Sequence, residues 1–435
     1  MTVGRHRLHS PRPDGPNEHR LPRRHRRVAL GGELGSADPL GSGRLEKGES
    51  QPPASRVAGG GADWLLPPCL GDSARVAALP ADRQDLLTSL LREVSRSFYL
   101  TLRTLPAAVR PQISLAYLLA RATDTLADTD LVPVGERLAA LARLRERILG
   151  QTSERLDFST FAGTATAPAQ PSAPAIPAQR AATAERTLLL RIEDALAVLA
   201  ACSDADREPI RVVLDTITGG QELDLRRFEL GRPPGASLTA LRSQAELDDY
   251  TYRVAGCVGE FWTTVCRARL FPAARLDDAW LLAHGVRFGK GLQLVNILRD
   301  LPADLRRGRC YLPADELHAL GLTPAQLLDP AQASRLRPLF LRELDLARDH
   351  LAAGWLYTQA LPRGQVRVRL ACAWPVLIGV RTLALLRTGN PLAADQRVKV
   401  SRREVRQILL GTGLRCAWPR SWDALYRHWS RSAAG

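Results

Sequence analysis

The sequence predicts an all-α fold: one large helical domain, preceded by a tail without structure of its own. Two observations predict it. Ala, Leu and Arg dominate the composition while aromatics supply only 5%, and these three side chains lose little freedom on entering a helix. From Leu79 onward apolar residues recur with helical spacing, and no segment alternates convincingly in the manner of a strand. A hydrophobic content of 45% over 435 residues is enough for one sizeable core.

Residues 1–75 are rich in Pro, Gly, Arg and His and carry no apolar period, so they are expected to be a disordered tail. Helices are expected over roughly 82–104, 107–129, 134–149, 185–203, 205–229, 243–269, 275–304, 332–360, 366–388 and 401–411. The stretch 151–183 contains GTATAPAQPSAPAIPAQ and reads as a flexible surface insertion, which interrupts the domain without dividing it. Leu370 to Leu386 is the most apolar run. It contains Arg381 and is short for a membrane span, so it reads as a buried helix. The domain is thus expected over 79–411, with 412–435 as a C-terminal tail.

The formal net charge is +15, and only Lys47, Lys290 and Lys399 contribute to it as lysines, so the basic charge is nearly all arginine. An Arg-rich surface attracts anions such as diphosphates, lipid headgroups or nucleic acid. No aromatic stacking array, zinc-finger spacing or recognition module accompanies the charge, and no nucleic-acid partner is expected. The seven cysteines include no CxxC pair, which fits a reducing cytoplasm. The N-terminus lacks the apolar core of a signal peptide.

Two acidic stripes carry the chemistry. In LAYLLARATDTLADTD, Tyr117, Arg121, Asp124 and Asp128 fall at i, i+4, i+7 and i+11 and share one helical face. Two aspartates one turn apart repel each other, at a cost of about 0.2–0.5 kcal/mol. In GKGLQLVNILRDLPADLRRGRCYLP, Gln293, Asn296, Asp300 and Asp304 form a second oxygen-rich face with Arg299 adjacent. Either stripe alone reads equally well as a solvated, salt-bridged surface. Together, facing each other, they suit Mg²⁺, which takes oxygen ligands and is commonly held by one or two carboxylates plus substrate phosphate. Such a site neutralises a departing diphosphate. Arg121, Arg299 and Arg309 would add charge-assisted contacts, and apolar neighbours would hold a hydrocarbon tail. No GxxxxGK[ST] loop is present to cradle phosphate by another route. Pro302 lies inside the second stripe, where a proline removes a hydrogen bond and kinks a helix. Asp300 is therefore the safer ligand of the pair.

At these residues the chain resembles the squalene/phytoene synthase family of head-to-head prenyltransferases. SRSFYL at Ser95–Leu100, YLLARATDTLAD, YTYRVAGCVGEFW at Tyr250–Trp262 and QLVNILRDLPADLRRGRCYLP carry the resemblance, over residues 82–411 outside the insertion. It implies a single all-α isoprenoid-synthase domain around a central cavity. It implies Mg²⁺ at Asp124, Asp128, Asn296, Asp300 and Asp304, and diphosphate contacts from Ser95, Arg96, Phe98, Tyr117, Arg121, Gln293, Arg299, Arg309 and Arg397. Tyr250 would assist proton transfer, and Val254, Val258 and Gly259 would line a prenyl tunnel. Simpler readings stand beside these: Ser95 bonding locally within its helix, Tyr250 in the core, Gly259 serving only close helix packing.

The resemblance implies condensation of two farnesyl diphosphates through presqualene diphosphate, then hydride transfer from NADPH to give squalene. DTLAD following ARAT looks more like the squalene-forming branch. Phytoene, dehydrosqualene or hydroxysqualene are the alternative products, and an inactive assembly partner is the alternative outside catalysis. Substrates this greasy lead us to expect a cytoplasmic protein, monomer or homodimer, that docks transiently on the inner face of the membrane.

Overall fold

Long helices dominate the computed structural model, which describes residues 84–95, 98–163, 177–230, 238–393, 398–416 and 418–431. All of these belong to the unit Leu65–Gly435. The expected tail over 1–75, Arg96 and Arg397 lie outside the described residues. In chain order the helices are α1 (Ser89–Ser95), α2 (Tyr99–Thr104), α3 (Arg110–Asp128), α4 (Val134–Leu149), α5 (Ser159–Ala162), α6 (Pro177–Leu190), α7 (Ile192–Ala201), α8 (Asp204–Phe228), α9 (Gln244–Thr251), α10 (Cys257–Leu270) and α11 (Asp278–Arg306). After them come α12 (Ala314–Ala319), α13 (Ala333–Ala360), α14 (Val366–Thr388), α15 (Arg402–Arg415) and α16 (Pro419–Arg431). The all-α expectation holds, with one small addition: β1 (Thr239–Leu241) pairs in parallel with β2 (Arg309–Pro313). A three-residue strand is too short to leave a period in the sequence.

Helix α11 is the axis of the domain and packs along α10, α13 and α14. Two apolar clusters flank it. One gathers Leu118, Leu144 and Leu214 from α3, α4 and α8; the other gathers Leu298, Phe340, Leu377 and Trp422 from α11, α13, α14 and α16. Helix α14 is long and apolar enough to cross a membrane, but 72% of its most apolar window is buried inside the domain. It is a core helix, as the position of Arg381 led us to expect.

Glycines set the closest helix contacts. A Cβ on Gly259 of α10 would lie 1.9 Å from the carbonyl oxygen of Gly285 in α11, and one on Gly289 would lie 2.1 Å from that of Ala255. Any larger side chain would force these backbones apart. Between α9 and α10 the chain makes a π-turn over Tyr252–Gly256, a widened turn of a kind often found at functional sites. Gly220 of α8 makes room for it on the other side, because a Cβ there would come within 2.9 Å of Arg253.

Several boundaries depart from expectation. The stretch 82–104 is two short helices after a single 3₁₀ turn, and 185–203 is split at Arg191. The insertion is shorter than 151–183: Leu156, Phe158 and Phe161 are buried, and α6 begins at Pro177, leaving 164–176 outside the described residues. The expected C-terminal tail over 412–435 is corrected. Helix α16 runs to Arg431 and drives Trp422, Leu425 and Trp429 into the core, with the Trp422 indole donating to the Thr412 carbonyl at 3.1 Å. Arg420, Arg427 and Arg431, interspersed among the tryptophans, masked this apolar face in the sequence. The kink expected at Pro302 does not end the second stripe either, because α11 continues through it to Arg306.

Candidate active site

Two cavities meet inside the helical barrel. The first, of about 380 Å³, is almost wholly apolar; Phe98, Ile113, Ala116, Val258, Phe261 and Phe288 are among its walls. The second, of about 340 Å³, is polar and collects Asp124, Asp128, Asp224, Asp300 and Asp304 with Gln221, Gln293, Asn296, Arg307, Arg309, Tyr250 and Tyr311. Asp124, Ile217, Val254 and Asn296 line both. The two stripes therefore face one polar chamber, which opens onto a greasy one.

Helical spacing delivers these groups. Asp124 and Asp128 come from the last turns of α3, and Gln293, Asn296, Asp300 and Asp304 from successive turns of α11. Gln221, directly after Gly220, and Asp224, one turn beyond it, come from α8. The β1–β2 pairing holds the chain after α11 so that Arg309 and Tyr311 face the same chamber.

The electrostatics are those of crowded carboxylates. Burial pushes the Asp124 carboxyl up to about 6 against the pull of Arg121 at 3.7 Å, and neighbouring Asp128 pushes the same way. Its environment is enclosed by protein, yet its side chain still opens onto the chamber. Burial and then Asp300 push Asp304 up to about 6. Asp224 is pushed up to about 7 by burial, although Tyr311 donates to its Oδ2 at 2.5 Å. Arg309 is the balancing cation. It pairs with Glu229 and stands 3.8 Å from Asp128 and 4.0 Å from Asp224. Burial opposes its charge, but Tyr311, Asp224 and Glu229 raise its pKa overall. Arg137 grips the other Glu229 oxygen and also donates to the Ala127 carbonyl at 2.7 Å, tying Arg309 to the end of α3. Tyr250 stacks on Tyr311 with centroids 4.7 Å apart, and burial, then Asp224, raise its pKa far enough to keep the phenol protonated.

The donor set fits a hard divalent cation. Five carboxylates and three amides offer oxygen, and buried Asp224 Oδ1 and Gln221 Oε1 have no hydrogen-bond partner among the described residues. No three acidic, His or Cys side chains among the described residues form a ready metal cage. The oxygen donors lining the chamber suit Mg²⁺, which keeps several waters and takes substrate phosphate to complete its shell.

Phe98 and Tyr117, stacked with centroids 5.1 Å apart, line the apolar cavity, as do Val254, Val258 and Gly259. Ser95, Arg121 and Arg299 are not brought to either wall. Buried Ser95 bonds back to the Leu91 carbonyl at 2.5 Å, Arg121 reaches Glu185 of α6 and Asp124, and Arg299 is held by Asp300. Gln221, Asp224, Arg307 and Tyr311 were missed. The Gly219–Gly220 pair within a helix was the available signal for the first two, since glycine costs a helix interior about 1 kcal/mol relative to Ala.

Residues 91–404 match the family model for squalene/phytoene synthase. The chain belongs to the squalene/phytoene synthase family. Among similar family members is the phytoene synthase of Mycobacterium tuberculosis, 27% identical over 327 residues that cover 74% of this chain and 87% of the relative. The bifunctional lycopene cyclase/phytoene synthase of Phaeosphaeria nodorum is 28% identical over 303 residues. That alignment covers 68% of this chain but only 45% of the longer protein. The solved complex of TcSQS with the ligand BPH1237 shares the fold with a TM-score of 0.60 at 19% identity, covering 82% of this chain and 99% of that one.

Proposed function

We propose that this family member joins two allylic isoprenoid diphosphates head to head. One observation carries the reading: a chamber of carboxylates and arginine opens through Asp124, Ile217, Val254 and Asn296 into an apolar chamber. An amphiphile with a polyanionic head and a long hydrocarbon tail matches that junction in both chemistry and order.

Asp124, Asp128, Asn296, Asp300 and Asp304 would hold Mg²⁺, with Asp224 added to the expected set. Bound there, Mg²⁺ would neutralise the leaving diphosphate. Arg309 and Arg307 would contact phosphate oxygens directly. Phe98, Tyr117, Phe261 and Phe288 would exclude water from the developing allylic cation and present aromatic faces to it. Protonated Tyr250, stacked on Tyr311 above Asp224, stands where a proton leaving the coupled chains could be received by way of Tyr311 and Asp224.

Two products compete. The ARAT–DTLAD segment favours squalene from farnesyl diphosphate, with NADPH as hydride donor. The phytoene synthase names of the relatives favour phytoene from the twenty-carbon diphosphate. Incubation with each diphosphate and Mg²⁺, with and without NADPH, followed by product identification, decides between them. Squalene formed only with NADPH supports the first reading, and turnover of the twenty-carbon substrate alone supports the second. Absence of Mg²⁺-dependent diphosphate release from either substrate overturns both.

A further inference from the structure

We propose that helices α15 and α16, with Trp418 between them, form a docking face for an anionic lipid bilayer. The proposal stands on this surface and is independent of the reaction assigned to the chambers. Helix α15 buries only Ile408 and Thr412. Its opposite side turns Leu410 and Leu414 outward one turn apart, and Trp418 follows in the connecting turn. These three are 67%, 74% and 64% exposed, more than any other large hydrophobic residue among those described. Exposing this much apolar surface in so short a segment marks an interaction site rather than ordinary surface scatter.

The charge around them identifies the partner. Between residues 402 and 431 the sequence carries seven arginines against two acids. All seven arginines are exposed. Both acids are engaged in the fold: Glu404 accepts from Arg381 at 2.7 Å and closes the capping box with Ser401, and Asp423 accepts from the Trp355 indole at 3.3 Å and from Gln359. Neither of these two acids is therefore left to balance the cationic rim. Pairing two copies through this face would set arginine against arginine, since a two-fold contact repeats the same patch on both sides. Anionic headgroups supply the missing charge, while the leucines and the indole enter the headgroup–acyl boundary.

The test is flotation of the full chain with phosphatidylcholine vesicles containing about 30 mol % phosphatidylglycerol, beside pure phosphatidylcholine vesicles. Expected is binding to the anionic vesicles that weakens with salt, and little to the neutral ones. The combined Leu410→Glu, Leu414→Glu and Trp418→Glu variant should lose on the order of 10- to 100-fold in partition, whereas Leu328→Glu, at an exposed leucine elsewhere, should not. A second reading guards against misfolding of the triple variant. In the unsubstituted protein, lipids brominated near the headgroup should quench a component of the fluorescence that Trp418→Phe removes. Three results each overturn the proposal: no partition of the unsubstituted protein, equal partition of the triple variant, or a lipid-free dimer that the triple variant returns to monomer.

Discussion

The two chambers share walls but obey different physics. In the apolar chamber, energy comes from area removed from water, about 25 cal/mol per Å², and a wall residue can exchange for one of similar volume at modest cost. In the carboxylate chamber, each group is held by another: Gln221 on Asp124, Tyr311 on Asp224, Glu229 on Arg309, Arg137 on Glu229. Removing one partner there leaves a buried charge exposed to its neighbours. The greasy half should therefore tune which chain is accepted, and the polar half should decide whether anything reacts.

The most severe break falls on the polar half. Replacing Asp124 and Asp300 together by Asn is expected to lower kcat by about 10³-fold or more, since removal of even a single electrostatic group from a site of this kind commonly costs 10²–10³-fold. Mg²⁺-dependent diphosphate release measures it, and turnover near that of the unsubstituted enzyme would refute the chamber's role. Next comes Glu229→Gln, which leaves every chamber-lining residue in place but loosens Arg309. A fall of about 10- to 100-fold in kcat/KM is expected from misplacement alone. On the apolar side, Ala371 of α14 also lines the chamber, and Ala371→Leu should shift the preference between the fifteen- and twenty-carbon diphosphates by about tenfold, the scale at which a pocket discriminates a methylene or two. It should leave metal dependence untouched. A shift in Mg²⁺ dependence instead would show that the chambers are not separable.

The smallest effect concerns stability. The Asp224 carboxyl sits at about 7 in the fold against an ordinary 3.8. A raised carboxyl stabilises the fold fully below about pH 4 and loses that contribution as pH climbs to about 7. Without metal, Asp224→Asn should therefore raise the melting temperature by a few degrees near pH 8 relative to its effect near pH 5. Calorimetry at both values checks it, and a gain at pH 5 that vanishes at pH 8 would reverse the sign and sink the assignment.

The sequence showed the long elements and both stripes because helical period repeats over many turns. The expectations for 332–360 and 366–388 match α13 and α14 to within a residue. What it hid was set by tertiary contact. Nothing along its own helix singles Asp224 out; it joins the site because α3, α8 and α11 line one chamber. Tyr311 depends on a two-strand pairing with no period of its own. Arg121, within the first stripe, and Arg299, adjacent to the second, pair with Glu185 and Asp300, and helical spacing alone does not reveal the cross-helix partner of Arg121.

The contact of Gly259 with Gly285 has an engineering consequence. Where two main chains touch, nothing remains to trim, so that wall of the tail pocket cannot be widened by substitution. Adapting the enzyme to bulkier hydrocarbons must proceed from the α3 or α14 side, where Ile113, Ala116 and Cys372 offer atoms to remove or add. A library that randomises Gly259 should return mostly unfolded protein, and one directed at the opposite wall should return new selectivities.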